Sequence, residues 1–242
     1  MSGKTKLNIV TDGLSSYFDV GSRFSHVGGE VKGAQYIGMY NINKKTTSNT
    51  RAEFLSNDSI KSYPTYLNQN GGIYQFNGST DGLNILPAEV YEVNPQNGFT
   101  FSIWLKIVTP SLTGYQILST LNDVWGTAIV ANVLNELNVV TYYNIPGTSD
   151  DVQSPYKIQL NEWFNLAYVA STPLSKSYVY INGNESNAIY PDDYTITPTY
   201  IGVNTFETKW FNGYMSNVMF YDRALEQSEV IQNYNALKYR FL

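Results

Sequence analysis

Between Phe99 and Val108 the chain alternates strictly: Phe99, Phe101, Ile103, Leu105 and Ile107 take every second position, with Thr100, Ser102, Trp104, Lys106 and Val108 between them. Successive side chains of an extended strand point to opposite faces, so this run predicts a β-strand with one face on a core. Pro110 ends the run, since proline cannot donate to a strand ladder. Further short strands are expected at 115–121, 127–133, 137–143, 164–170, 177–182 and 215–221, punctuated by turn-forming clusters. Asn182-Gly183 is the dipeptide of a tight hairpin, in which both central residues take positive φ. Strands this short and this regularly separated predict an all-β, antiparallel sandwich.

One helical pattern stands apart, at 224–240. Val230, Tyr234 and Leu237 recur at helical spacing and Ile231 widens the stripe, while Glu226 and Glu229 at the start and Lys238 and Arg240 at the end suit the helix dipole. This short C-terminal α-helix is expected to pack across an end or edge of the sandwich. The first 65 residues are less regular. A strand or two fits 7–19, whereas 23–62 mixes Gly, Asn, Lys and Ser with scattered aromatics. The expected organisation is an irregular portion at 1–65, holding the first strand and open to a role as a docking arm, followed by a sandwich at 66–242. One continuous domain is the simplest reading.

Composition narrows the function classes. Hydrophobic residues make up 43% and charged residues only 14%, enough for a core and too little charge for disorder. The net charge of −5, with Lys44-Lys45 the densest basic spot, argues against a nucleic-acid partner. There is no cysteine, hence no disulfide framework, thiolate metal site or thiol nucleophile. No stretch has membrane-spanning length, and the opening apolar run at 7–10 lacks the core of a signal peptide. Synthesis in a cytoplasm follows as an expectation.

Several blocks resemble one family. The segment 210–225, WFNGYMSNVMFYDRAL, with 229–234, EVIQNY, is similar to the closing strand and following helix of concanavalin A-like, laminin-G-like jelly-roll domains. GGIYQFNGSTD at 71–81, the strand at 99–105, NEWFNL at 161–166 and YVYING at 178–183 resemble earlier strands of the same fold, in the same order. Asp12-Gly13-Leu14 with Phe18-Asp19 resembles the opening of phage-encoded members. Residues 21–65 depart from the family pattern, and Glu226 stands where a Ser or Thr helix cap is usual, although Glu229 supplies the other half of a capping box. Gly183 and Gly213 are read as turn glycines, and Met215 falls out of phase with Val218 and Phe220, which predicts a bulge between them.

The resemblance implies a fold that hosts lectins, adhesins, enzymes and scaffolds alike, so function has to come from sites. Glycosidases of this type need two carboxylates on one strand face, usually as Glu-x-Asp-x-x-Glu. No such run occurs. Glu89 and Glu92 are three apart and hence on opposite strand faces, Glu226 and Glu229 fall on the helix, and Asp150-Asp151 and Asp192-Asp193 lie in turns. His26 is the single histidine and sits in an irregular stretch. No enzyme and no catalytic residue are expected. Calcium is the one cofactor the resemblance suggests, with Asp19, Asp81 and Asp222 as ligands; ordinary turn aspartates are the competing reading.

A glycan site needs an aromatic platform beside amide and carboxylate partners. Trp125 with Asn122 and Asp123 fits best, and Tyr142, Tyr143 and Asn144 come second; that these rings close the core stays open. Trp104, on the face opposite the phenylalanines, is expected to line the concave sheet or be covered by loops. The expected function is a non-enzymatic virion component of a phage (head decoration or fibre, or tail-associated), homo-oligomeric, contacting other virion proteins and host-surface glycans. The alternative is a free bacterial carbohydrate-binding or adhesion module.

Overall fold

A computed structural model describes residues 9–18, 64–84, 98–109, 115–120, 125–131, 137–143, 152–153, 158–171, 176–189, 198–203 and 209–242. Within them run fourteen strands: β1 (Leu14–Phe18), β2 (Thr65–Leu67), β3 (Ile73–Asn77), β4 (Leu83–Asn84), β5 (Phe99–Ile107), β6 (Tyr115–Thr120) and β7 (Trp125–Ala131). The rest are β8 (Leu137–Tyr143), β9 (Val152–Gln153), β10 (Trp163–Ser171), β11 (Lys176–Ile181), β12 (Asn184–Ile189), β13 (Pro198–Ile201) and β14 (Asn212–Tyr221). Helix α1 (Gln227–Leu237) and a 3-10 turn (Lys238–Arg240) close the chain. The strands form two antiparallel sheets. The larger runs β12-β11-β10-β5-β14-β3-β2, with β1 also paired to β14, and the smaller runs β4-β13-β6-β7-β8-β9.

The alternation at 99–107 becomes β5, at the centre of the larger sheet between β10 and β14. Its Phe99, Phe101, Ile103, Leu105 and Ile107 enter the inter-sheet core with Phe164, Leu166 and Tyr168 of β10, Phe220 of β14 and Ile117, Leu118 and Ile201 of the smaller sheet. Ile117 and Leu118 are consecutive yet both belong to that core, because the ladder of β6 slips there.

One expectation about β5 needs correcting. Its other face is buried as well: Thr100, Ser102 and Trp104 are fully enclosed. Helix α1 crosses the outer face of the larger sheet, not an end or edge of the sandwich, and a second core forms beneath it. Trp104, Val169, Met219 and Tyr221 from the sheet meet Val230, Leu237 and Phe241 there. Trp104 therefore lies under the helix rather than in an open sheet face, stacked on Tyr234 and Phe241 with centroids 5.6 and 4.5 Å away.

Strand β14 is bent where the sequence indicates. Ser216 pairs with Trp104 and Met219 with Ser102, so Asn217 and Val218 oppose the single residue Ile103. Asn217 takes φ 48°, a bulge conformation that asparagine tolerates. Gly213, read as a turn glycine, lies inside β14 opposite Phe76 and Ile107. A Cβ there would come 2.1 Å from the carbonyl oxygen of Lys106; the glycine permits a close strand approach, not a turn. Asn182 (φ 53°) and Gly183 (φ 77°) do form the expected hairpin, joining β11 to β12.

The first strand is part of the sandwich: β1 pairs with the C-terminal half of β14. Just before it, the Val10 N–H donates to Oδ1 of Asn233 on α1 at 2.8 Å, and the Tyr221 hydroxyl donates to the Val10 carbonyl at 3.1 Å.

Candidate functional site

The larger sheet is not covered evenly by α1. The helix starts at Gln227 and runs toward Trp104, and its N-terminus lies beside residues of β10, β11 and β12. A cleft of about 220 Å³ remains there. Its floor is Val169 of β10, Tyr178 and Tyr180 of β11 and Glu185 of β12; its wall is Ala224, Leu225, Glu226 and Gln227 of the β14–α1 connection. Strand pairing places the floor: Val169 is the partner of Tyr178, and Tyr180 of Glu185. Tyr178 and Tyr180 are two apart on one strand and so share a face, with centroids 6.3 Å apart and planes tilted by 40°. The Tyr180 ring is buried while Tyr178 is half-exposed and Glu185, Glu226 and Gln227 are exposed.

The wall is pinned from several sides. Thr100 Oγ1 donates to the Arg223 carbonyl at 3.0 Å and accepts from the Leu225 N–H at 2.9 Å. Arg223 makes a two-pronged contact with Glu229, at 2.7 and 2.6 Å, and reaches Asp12 at 3.0 Å. Glu229 also accepts the Glu226 N–H at 2.9 Å, the half of the capping box that the sequence supplied. A wall held this way meets a ligand with little ordering left to do.

The polar edge of the cleft is acidic. The Tyr180 hydroxyl donates to Glu185 Oε2 over a long 3.4 Å. That hydroxyl titrates well above the usual tyrosine range: burial is the main cause, followed by the charge and hydrogen bond of Glu185, then Tyr178 and Glu226. Arg223 is held above, and Glu229 below, their ordinary values, in both cases chiefly by the hydrogen bonds between them.

None of the described residues singled out in the sequence for glycan or calcium binding lines this cleft. Trp125 and Tyr143 are cross-strand partners on β7 and β8, at one end of that ladder, and Tyr142 is opposite Gly126. Asn122, Asp123, Asn144 and Asp19 lie outside the described residues, as does His26. Asp81 is buried and accepts from the backbone and side-chain amide of Asn77 at 2.9 and 3.0 Å, which closes the loop after β3. Asp222 is exposed and its N–H donates to the Gly13 carbonyl at 2.9 Å.

Asp81 and Asp222, the two described members of the calcium set, are not brought together. Asn77 pairs with Asn212 at the start of β14, whereas Asp222 follows its end; ten residues of strand put roughly 30 Å between the two carboxylates. Among the described residues no group of three or more His, Cys, Asp or Glu converges on one point.

The cleft residues went unmarked in the sequence because 178–183 reads simply as a hairpin. A signal was present nonetheless. A two-residue Asn-Gly turn places the residues flanking it in register, so Tyr180 and Glu185 in Tyr-Ile-Asn-Gly-Asn-Glu must be cross-strand neighbours.

Comparison with solved structures supports the architecture. Domain 4 of an extracellular arabinanase from Geobacillus stearothermophilus, solved with arabinotriose, superposes with a TM-score of 0.66 at 17% identity, over 91% of this chain and 97% of that one. The binding domain of Paraclostridial Mosquitocidal Protein 1 gives 0.63 at 13% identity, over 92% and 52%. The receptor-binding domain of botulinum neurotoxin type G gives 0.57 at 14%, over 93% and 51%; the chain thus spans about half the length of these last two. No curated protein matches the chain. A family model described as the concanavalin A-like lectin/glucanases superfamily, Laminin_G_3, matches residues 77–231, from the end of β3 into α1. Both the two-sheet fold and that match over more than half its length place the chain in the concanavalin A-like lectin/glucanases superfamily, to which it belongs.

Proposed function

We propose that this protein is a non-catalytic carbohydrate-binding module that holds a short glycan in the cleft between β11–β12 and the start of α1. The observation that carries this reading is the pairing, in one rigid recess, of tyrosine rings with carboxylate and amide groups: Tyr178 and Tyr180 beside Glu185, Glu226 and Gln227. Sugar rings present apolar C–H faces and an equatorial rim of hydroxyls, and aromatic faces flanked by acceptors and donors match both. A volume of about 220 Å³ is below the roughly 300 Å³ of the smallest typical drug-sized sites, so it suits one ring, with the rest of the chain along the surface. The arabinanase domain, matched over nearly its whole length, was solved with arabinotriose, which supports a glycan of this size. Both cleft carboxylates are exposed, an environment that does not build a general acid.

Calorimetric titration with neutral oligosaccharides (arabino-, xylo- and gluco-trimers) tests the proposal. Binding should weaken by about tenfold in Tyr178→Ala, on the order of one aromatic contact, with no release of reducing ends. Loss in Trp125→Ala with Tyr178→Ala silent would move the site to β7 and β8.

The setting we propose is a phage particle, with the sandwich turned outward toward host-surface glycans. The similarity of Asp12-Gly13-Leu14 and Phe18-Asp19 to phage-encoded members supports it. Mass spectrometry of purified virions should find the chain among the head or tail proteins; its absence would leave the free module.

A further inference from the structure

Resting on the glycan reading of the cleft, we propose that this recess selects sugars carrying a free amine, as ammonium, over their N-acetylated and acidic counterparts. The argument begins with what lines it. Of the eight lining residues two are glutamates and none is a lysine or arginine. The half-exposed ring of Tyr178, with Tyr180 buried beside it, is the aromatic surface whose electron-rich face attracts a cation. Glu185 is placed on the floor by its pairing with Tyr180, and Glu226 on the wall by its position directly before α1. A ring seated on Tyr178 thus has carboxylates on two sides.

Among the described side chains, two features bear on that preference, and both are engaged within the protein. The nearest described cation in sequence, Arg223, is engaged by Glu229, by Asp12 and by the Ala224 carbonyl at 3.2 Å. The amide end of a helix attracts anions, but the carboxylate of Glu229 already accepts the Glu226 N–H. The upward shift of the Tyr180 hydroxyl, to which both Glu185 and Glu226 contribute after burial, agrees with a negative field inside the recess. Because both carboxylates are exposed, that field is screened by salt.

The test compares three trimers of similar size at pH 6: glucosamine, N-acetylglucosamine and galacturonate, titrated into the full chain at low and high salt. The glucosamine trimer should bind about fivefold or more tightly than the N-acetylated one at low salt, a preference of the size two screened charges supply. Near 1 M salt, where the screening length is about 3 Å, the ratio should fall toward one. It should also fall toward one in the Glu185→Gln, Glu226→Gln double variant, whose thermal melting confirms that it is folded; Glu185→Gln alone serves should the double variant not fold. Galacturonate binding as tightly as glucosamine, or an amine preference unchanged in the variants, overturns the inference. Neutral trimers binding with no preference for the amine would also overturn it and leave the glycan reading standing, whereas failure of every sugar to bind removes the glycan reading itself.

Discussion

The ring of Phe241 lies against the indole of Trp104, with centroids 4.5 Å apart and planes 18° from parallel. Trp104 is in mid-sheet and Phe241 is the penultimate residue, so this contact ties the chain end across the outer face of the larger sheet. Tyr234 stacks on the same indole at 5.6 Å and Trp163 packs on Phe241 at 4.8 Å. Phe241→Ala should therefore cost about 3 kcal/mol, as for an enclosed aromatic, read as a lower urea midpoint at unchanged slope.

Asn233 acts as a clasp between the helix, the segment just before β1 and the end of β14. It accepts the Val10 N–H at 2.8 Å and donates to the Tyr221 hydroxyl at 2.9 Å, all of it buried. Asn233→Leu keeps the bulk and leaves the Val10 N–H without its acceptor, at about 1–3 kcal/mol. Hydrogen exchange at Val10 should accelerate more than exchange in β5; equal acceleration at both would contradict a local clasp.

Gly213 and Gly183 should respond differently to alanine. At Gly213 the new Cβ would stand 2.1 Å from a backbone oxygen of β5, where nothing can yield without opening the central ladder. Gly213→Ala should give insoluble or molten protein. At Gly183 the nearest atoms are 3.4 Å away on Ile231, so Gly183→Ala should cost about 1 kcal/mol from its φ of 77° alone. Parallel expression and thermal melting of the two variants check this.

The Arg223–Glu229 pair makes stability depend on acid pH. Arg223 holds the Glu229 carboxyl below its ordinary value of 4.5, so the folded state binds that proton less readily than the unfolded chain. Its contribution is complete above about pH 4.5 and is lost as pH falls through the lower folded value. Glu229→Gln should remove on the order of 1 kcal/mol at pH 7 and flatten the acid limb of the unfolding free energy. An identical limb in the variant would exclude this pair as its source.

Much of the fold was legible because strand formation is local. The period-two run at 99–107, the Asn-Gly hairpin at 182–183 and the out-of-phase Met215 each depend on residues within one or two strands, and β5, the β11–β12 hairpin and the β14 bulge follow from them. The family blocks added order along the chain, and the match at 77–231 agrees with that. The site was less legible. Trp125 and Tyr143 stood out as large rings beside turn residues, while Tyr178, Tyr180 and Glu185 looked like an ordinary hairpin. Glu226 read only as an unusual helix cap.

Alternation, turns and helical spacing told from the chain alone which side chains share a face and which peptide units leave a strand. They are properties of backbone geometry, and neighbours in sequence suffice to set them. Which faces would be covered, and by what, was decided in three dimensions. Alternation places Trp104 on the face opposite the phenylalanines but says nothing of its cover, because α1 reaches it from more than a hundred residues away. The cleft arose in the same way: it is the part of the larger sheet where that helix has not yet begun. A surface formed between β11, β12 and the β14–α1 connection has no local signature, since its parts meet only when strand pairing and helix docking are complete.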